Sequence, residues 1–187
     1  MYATVAQLKA RLEIGTATSD TTLQDALDWA TDWIDTFTQR EFTAGTETRY
    51  FDAHDLDPND RALLCVDNDL LSVGTLTNGD DDATALGSAT YWLWPRNETP
   101  AWGIRLKSSY SWQVETDCFI KITGTWGYSA TPPALVEGAC LRLAEWRYRS
   151  KDMLDTTTIF SEQATRVRPP AFPSEVEESL APLRKLA

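Results

Sequence analysis

The stretch "IKITGTWGYSATPPALVEGACLRLAEW", Ile120 to Trp146, decides the fold. It begins with the alternating residues of a β-strand, is interrupted by Gly124, Gly127 and two prolines, and continues with the apolar spacing of a helix. Proline is tolerated in the first turn of a helix, because the backbone nitrogen needs no partner there. The stretch therefore predicts a joint between a strand and a helix.

Helical patterns lie on both sides of this joint. Thr4 and Gln7 form a capping box before a short N-terminal helix, a longer helix is expected over 21–41, and a short amphipathic helix begins at Ser174. Apolar residues recur every three or four positions in the two longer helices, which gives each helix one apolar face. These residues are Leu23, Leu27, Ala30, Ile34 and Phe37 in one, and Leu135, Val136, Ala139, Leu143 and Trp146 in the other.

The middle of the chain has a strand pattern instead. "TETRYFDA" alternates, "RALLCVDNDLLSVGTLTNGDDD" contains two strand-like runs with a turn expected at Asn78-Gly79, and further short runs follow. We therefore predict an α+β fold: a small bundle of N- and C-terminal α-helices, an inserted antiparallel β subdomain and a C-terminal arm. The expected parts are the N-terminal helices (1–45), the β insertion (46–128), the helix that completes the bundle (129–152) and the arm with its short helix (153–187).

The charge excludes several classes of function. The chain of 187 residues has 28 acidic and 17 basic residues, a formal net charge of −11. A protein that reads nucleic acid sequences normally carries a basic face, and an anionic membrane would repel this chain. The N-terminus has no secretion-signal pattern and no run is long enough to span a membrane, so we expect the chain to fold in a cytoplasm.

No local pattern indicates catalysis, a metal or a cofactor. The single histidine, His54, has no nucleophile or orienting group near it in sequence. The spacing of Asp55, Asp57 and Asn59 is that of a calcium loop, but Asp60 and Val66 replace the glycine and the glutamate that such a loop requires. The cysteines at 65, 118 and 140 have no CxxC spacing and are expected to be buried thiols. We therefore expect neither an enzyme nor a cofactor.

The tryptophans of the β region allow two interpretations. Trp92 and Trp94 would share one face of a strand, and aromatic platforms of this kind stack on sugar rings. Large aromatic side chains also fill thin β cores and subunit contacts. A glycan-binding module is therefore the alternative function.

Two charged stretches of the sequence are complementary in sign, and they are candidates for a contact between subunits. The longer helix carries an acidic stripe opposite its apolar face, without interleaved basic residues. A basic run follows the joint and is its natural complement, within one chain or between neighbours. The stripe consists of Asp25, Asp28, Asp32 and Asp35, and the run contains Arg142, Arg149 and Lys151.

The order of these parts resembles the head–tail connector (adaptor, or head-completion) proteins of long-tailed double-stranded DNA phages. The resemblance covers nearly the whole chain and rests on pieces in a fixed order. These are "TVAQLKARLEI", "LQDALDWATDWIDTFTQREF", "TRYFDA", "LLCVDNDLLSVGTLTNGD", "YWLWP", "IRL", the joint "ITGTWGY...PPALVEGACLRLAEWRY" and "FPSEVEESLAPLRKL". The joint is the most specific piece, and the acidity and tryptophan content of this chain depart from the pattern.

The resemblance implies a structural virion protein without catalytic activity. Such proteins form a ring, typically of twelve subunits, beneath the portal, where they extend the DNA channel and offer a docking surface to the next head-completion or tail protein. It implies a place in the neck of a virion, with assembly in the host cytoplasm and no membrane partner. The virus, the host and the tail partner stay open.

Two sets of residues follow as expectations. Gly124, Trp126, Gly127 and Tyr128 are expected to form a packed structural joint that fixes the β insertion on the helices. The C-terminal arm is expected to contact the portal or a neighbour, and docking on its own domain is the equally weighted alternative. The expected contact residues of the arm are Leu183, Arg184, Lys185 and Leu186.

Overall fold

The computed structural model describes residues 1–15, 20–79, 85–114, 119–151 and 171–185. Within these ranges lie four α-helices and one five-stranded antiparallel sheet, so the predicted α+β fold is confirmed. The chain divides into two compact units. The helical unit comprises Met1–Gln39 and Pro132–Ala187, and the β unit is Arg40–Thr131. No helix in the described ranges is long and apolar enough to cross a membrane.

The helical unit is built on two packed helices, α2 (Asp20–Thr38) and α3 (Ala134–Ser150). The predicted apolar face of α2 is buried from Leu23 to Ile34. Each of its large aliphatic side chains contributes about 1.5–3 kcal/mol through removal from water. The helix ends at Thr38, three residues earlier than expected, where Gln39 adopts a left-handed conformation with φ of 55°.

The buried face of α3 differs from the prediction. Its centre is Cys140, whose sulfur lies 3.9 Å from the Thr31 hydroxyl of α2. Leu135 is five residues, about 140° of helix rotation, from that centre, and it is 47% exposed. The wrong assignment of Leu135 arose because a small thiol, rather than a larger apolar side chain, marks the contact with α2.

Two short helices complete this unit. The first, α1 (Val5–Leu12), has the predicted capping box between Thr4 and Gln7. The second, α4 (Ser174–Leu180), buries Val176 and Leu180, and a 3₁₀ turn (Ala181–Leu183) follows it. The backbone N–H of Lys185 then donates to the Thr38 carbonyl at 2.9 Å. Residues 171–185 are therefore docked on their own unit.

The β unit contains strands β1 (Gly45–Phe51), β2 (Leu63–Gly79), β3 (Tyr91–Trp94), β4 (Ala101–Leu106) and β5 (Phe119–Trp126). They are arranged in the order β1-β5-β2-β4-β3, with β5 paired to both β1 and β2. One face of the sheet bears the core. Its fully buried aliphatic residues are Leu64, Leu70, Leu76, Ile104, Ile120 and Ile122.

Strand β2 corrects a second expectation. The two strand-like runs form one continuous strand of 17 residues, and Asn78 and Gly79 pair with Ile120 and Phe119 instead of making a turn. The register of β2 with β5 shifts between Leu70 and Ser72. The sequence pattern does not predict this irregularity in the middle of the strand. The predicted turn residues 80–82 lie outside the described residues.

Candidate assembly surfaces

The acidic stripe lies along the exposed side of α2. Asp25, Asp28 and Asp32 are exposed, and Asp35 is half-buried and accepts a hydrogen bond from the Tyr2 hydroxyl. Asp28 also accepts from the Gln24 amide at 3.0 Å. Among the described residues, no ion pair neutralises Asp25, Asp28 or Asp32. These three carboxylates consequently face solvent, and no basic side chain in the described part of the chain pairs with them.

The basic run of α3 is paired within its own unit. Glu145 accepts from Arg11 at 2.6 Å and from Arg149 at 3.0 Å, while Arg142 pairs with Glu175 of α4 at 3.0 Å. Partial burial by itself would raise the pKa of Glu145, but the hydrogen bond from Arg11 and the charges of the surrounding arginines together lower it. The structure thus brings the arginines to glutamates of α3 and α4, and not to the stripe of the same chain.

Lys151 stands apart from these ion pairs. Its ammonium lies 4.1 Å from the centroid of the Tyr148 ring, a cation–π arrangement on the last turn of the helix.

Half-buried aromatic rings connect α2, α3 and the C-terminal segment. Phe172 touches Trp146 of α3 and Trp33 of α2, with ring centroids 5.2 and 5.4 Å apart. The centroid of the Trp146 ring also lies 5.9 Å from that of Trp29, and the centroid of the Trp33 ring lies 5.0 Å from that of Phe37. We name these five rings the aromatic ladder.

An arginine covers each end of the aromatic ladder. Arg147 lies 5.0 Å from the ring of Trp29, and Arg184 lies 5.2 Å from that of Phe37. The ladder therefore holds the C-terminal segment on α2 and α3 through contacts between rings that are far apart in the sequence. The periodicity of α2 does not indicate a partner for Trp29 or Trp33, because the rings that they meet lie on other segments.

The predicted C-terminal contact residues occupy the end of this docked segment. Leu183 is half-buried, Arg184 is exposed above Phe37, and Lys185 donates its backbone N–H to Thr38. Leu186 lies outside the described residues. Their contact with another protein stays a prediction, and it would be made by a docked helix rather than by a free arm.

The four joint residues connect the two ends of the β unit. Trp126 is 1% exposed, and its indole N–H donates to the Glu47 carbonyl at 3.2 Å. A Cβ on Gly124 would lie 2.4 Å from the carbonyl oxygen of Ser72 on the neighbouring strand. Gly127 has φ of 123°, and a Cβ there would lie 2.6 Å from the Thr43 carbonyl. Both positions therefore require glycine.

A partly buried ion pair, which sequence reasoning missed, supports the joint. Arg40 donates from Nη1 to both carboxylate oxygens of Asp69, at 2.6 and 2.8 Å, and its guanidinium lies 5.3 Å from the Tyr128 ring. Backbone bonds from Gly127 to Asp69 and from Tyr128 to Glu41 complete the connection. The segments that enter and leave the β unit are thus held side by side. That the joint fixes this unit on the helices stays a prediction.

Cations cover the tryptophans that suggested a sugar platform. The Arg96 guanidinium lies 4.2 Å from the Trp92 ring and the Lys107 ammonium 5.9 Å from it, while Arg105 lies 5.7 Å from the Trp94 ring. A sugar that stacked on these rings would have to displace the side chains over them. We name Arg96, Arg105 and Lys107, with these two rings, the Trp92 cation cluster.

The acidic turn between β1 and β2 uses its carboxylates to build the backbone. Asp52 and Asp55 form the reciprocal cap of a 3₁₀ helix (Ala53–Asp55), and one oxygen of Asp57 accepts the N–H groups of Asn59 and Asp60. His54 projects into solvent from this turn. No group of three potential metal ligands occurs in the described ranges. Cys140 is buried as expected, Cys65 is half-buried, and Cys118 is not described.

Known structures share this fold. No family model matches the sequence, and no curated protein matches it. A chain in the neck of an empty gene transfer agent (GTA) particle computed with C6 symmetry superposes with a TM-score of 0.67 and 18% identity, covering 98% of this chain and 89% of that one. A chain in the virion of a native GTA particle gives the same values. A chain in the neck of a native GTA particle computed with C12 symmetry gives 0.63 and 16%, covering 98% and 88%. Across both units, therefore, this chain has the fold of chains found in those particles.

Proposed function

We propose that this chain is a structural protein of the neck of a phage-like virion. The observation that carries the proposal is the fold likeness to chains of gene transfer agent particles, two of them from necks, over 98% of the present chain. A likeness confined to one unit could reflect a common helical hairpin or sheet. A likeness over both units, in the order expected of head–tail connectors, supports a shared role.

The finer role that we propose is that of a head–tail connector. The chain would form a homo-oligomeric ring, of twelve subunits in the virion, beneath the portal protein. The ring would extend the channel for double-stranded DNA and offer a docking surface to the next head-completion or tail protein. The chain would occupy the neck of the virion after assembly in the host cytoplasm. Such a role consists of binding alone and needs no cofactor.

The acidic stripe of α2 suits such a ring in two ways. Carboxylates that line a DNA channel repel phosphates and let the duplex slide, whereas basic residues would hold it. Alternatively, Asp25, Asp28 and Asp32 face a neighbouring subunit. The basic residues expected as their partners there, Arg142, Arg149 and Lys151, all have contacts within their own unit.

The C-terminal segment is the proposed portal contact. It presents Arg184 beside the half-buried Leu183, a charged and an apolar group on a docked segment. Since Phe172, Val176 and Leu180 anchor the segment, the contact would be made by a preformed surface, which binds at a lower cost in conformational entropy than an arm that must first order.

Negative-stain imaging of the chain, co-expressed with the portal protein of its own genome, tests the role. We expect portals that carry an additional ring of the same rotational order. Bare portals beside free copies of the chain would contradict the connector role.

A further inference from the structure

The face of the sheet turned away from its core has an unusual composition. Strand pairing assigns to this outer face mainly hydroxyl-bearing, aromatic and basic side chains, and none of the paired positions on it is a carboxylate. Asp67 and Asp69 of β2 lie in the irregular stretch between Cys65 and Leu70, where no partner is assigned, and they pair with Arg49 and Arg40. The paired residues of the outer face are Thr46, Thr48 and Tyr50 on β1, Phe119, Lys121, Thr123 and Thr125 on β5, Leu63, Cys65, Ser72, Thr75 and Thr77 on β2, Arg105 on β4, and Trp92 and Trp94 on β3. In a chain with a net charge of −11, such a face is suited to an anionic partner.

The Trp92 cation cluster is the centre of positive charge on this face. Trp92 stands opposite Arg105 in the pairing of β3 and β4, so both side chains project from the outer face. Arg105 has one carboxylate partner, Asp60, at 3.0 Å. Arg96 is exposed on the Trp92 ring, and none of the described carboxylates pairs with it.

Stacking on the Trp92 ring preorganises the Arg96 guanidinium to bind a carboxylate. A guanidinium that lies over an indole ring keeps its N–H edge available, and the ring restricts its rotamers before a partner arrives. Arginine and tryptophan are also enriched at the centres of protein–protein interfaces. The cluster therefore has the chemistry of an interface for an acidic protein surface.

The chain itself offers such a surface. Asp25, Asp28 and Asp32 span about 10 Å along one side of α2 at helical spacing, and they have no ion pair among the described residues. Arg142 and Arg149 of α3 are less available to them, because they already pair with Glu175 and Glu145. Arg147, the third arginine of α3, lies over the Trp29 ring.

We propose that the Trp92 cation cluster binds the acidic stripe of α2 of a second copy of this chain. Cluster and stripe are different surfaces, so the contact is heterologous, and repetition by a closing rotation generates a ring. The inference rests on the proposed function only in the expectation that the repeated contact closes into a ring. It identifies the partner of the stripe as the β unit of a neighbour.

Two charge-reversed variants of the full chain test the contact. Variant one is Arg96→Glu with Arg105→Glu, and variant two is Asp28→Lys with Asp32→Lys. We expect the wild type to self-associate at low salt in sedimentation velocity, and each variant to associate at least about tenfold more weakly, because like charges then meet at the contact.

Mixing the variants provides the decisive measurement. In a mixture, the lysine stripe of variant two meets the glutamates of variant one, and the wild-type contact re-forms between the other two surfaces. We expect assemblies in the mixture and not in either variant alone. Variants that associate like the wild type, a mixture that stays monomeric, or a wild type that is monomeric up to about 1 mM at low salt would overturn the inference.

Matched controls separate the contact from net charge and from the rival partner. Arg61→Glu, at another exposed arginine, is compared with Arg96→Glu alone, because each changes the charge of the β unit by the same amount, half the change in variant one; Arg61→Glu should associate normally. Arg142→Glu with Arg149→Glu should also associate normally, provided that thermal melting shows a folded protein. If only this α3 variant dissociates, the stripe binds α3 and the inference is wrong.

Other outcomes distinguish the remaining alternatives. A saturable change in tryptophan fluorescence with double-stranded DNA or an acidic polysaccharide, lost in variant one, would assign the cluster to a polyanion and overturn the inference. Copies that associate through this contact but leave the portal bare would refute the neck role alone. Portal-bound rings that persist with variant one would refute the inference alone.

Discussion

The aromatic residues of the two units do different work. In the helical unit, five rings contact one another in the aromatic ladder and join three segments that are distant in sequence. In the β unit, Trp92 and Trp94 contact cations on an outer face, whereas Phe51, Trp112 and Trp126 are buried in the core. The tryptophans of this chain therefore do not share one role. Some rings hold the fold, and others arrange charge at the surface.

Trp126→Ala should break the β unit most severely. The side chain is buried against the sheet core and donates a hydrogen bond to Glu47, so its loss should cost about 3–5 kcal/mol of unfolding free energy. Denaturant unfolding measures this loss. The control is Trp102→Ala, because Trp102 is 40% exposed, and its unfolding free energy should stay within about 0.5 kcal/mol of the wild type. A cost below about 1 kcal/mol for Trp126→Ala would contradict the role of this ring in the core.

Gly127→Ala tests the joint without removing an aromatic ring. A Cβ would meet the Thr43 carbonyl in a backbone conformation with positive φ, so we expect a loss of about 2–3 kcal/mol. Gly138→Ala is the matched control: it lies in α3 with open space around it and should gain about 0.5–1 kcal/mol of helix propensity. Equal effects of the two substitutions in thermal or denaturant melts would remove the steric argument.

Phe172→Ala should open the aromatic ladder at its central ring. Because Phe172 is half-buried, we expect about 1–2 kcal/mol, less than for a fully buried ring. Hydrogen exchange should increase in 174–185 and stay unchanged in the β unit. Exchange that is unaltered in the C-terminal segment would show that Val176 and Leu180 hold it without the ladder.

Glu145→Gln should have the smallest effect, about 1 kcal/mol, since it weakens a partly exposed ion network. The folded pKa of Glu145 is lowered, so its contribution is present above the unfolded pKa and is lost as pH falls through the folded value. The variant should therefore lose less stability than the wild type on acidification below about pH 4. Urea melts at a series of pH values measure the unfolding free energy of both proteins, and parallel curves for Glu145→Gln and the wild type would refute this expectation. Glu178→Gln on α4 is the control.

The secondary-structure classes, the order of the parts and the acidic stripe could be predicted from the amino-acid sequence. Helical periodicity, capping and glycine positions are local properties, and they predicted α2, the joint and the strand-rich middle. The same local information failed at Leu135 and at Asn78-Gly79, where a helix rotation and a continuous strand depend on what lies opposite. Burial against a neighbour, not the pattern of one segment, decides both.

Which charges and rings meet could not be predicted from the sequence and depends on the packing of the folded chain. Arg40 and Asp69, Glu145 and Arg11, and the rings of the ladder are far apart in sequence, and such pairs carry no periodic signal. The docking of the C-terminal segment was likewise open, because one short amphipathic helix fits its own unit or a partner equally well. Phe172, Val176 and Leu180 direct their apolar side chains to the same chain, and the contact of this docked segment with a partner stays a prediction.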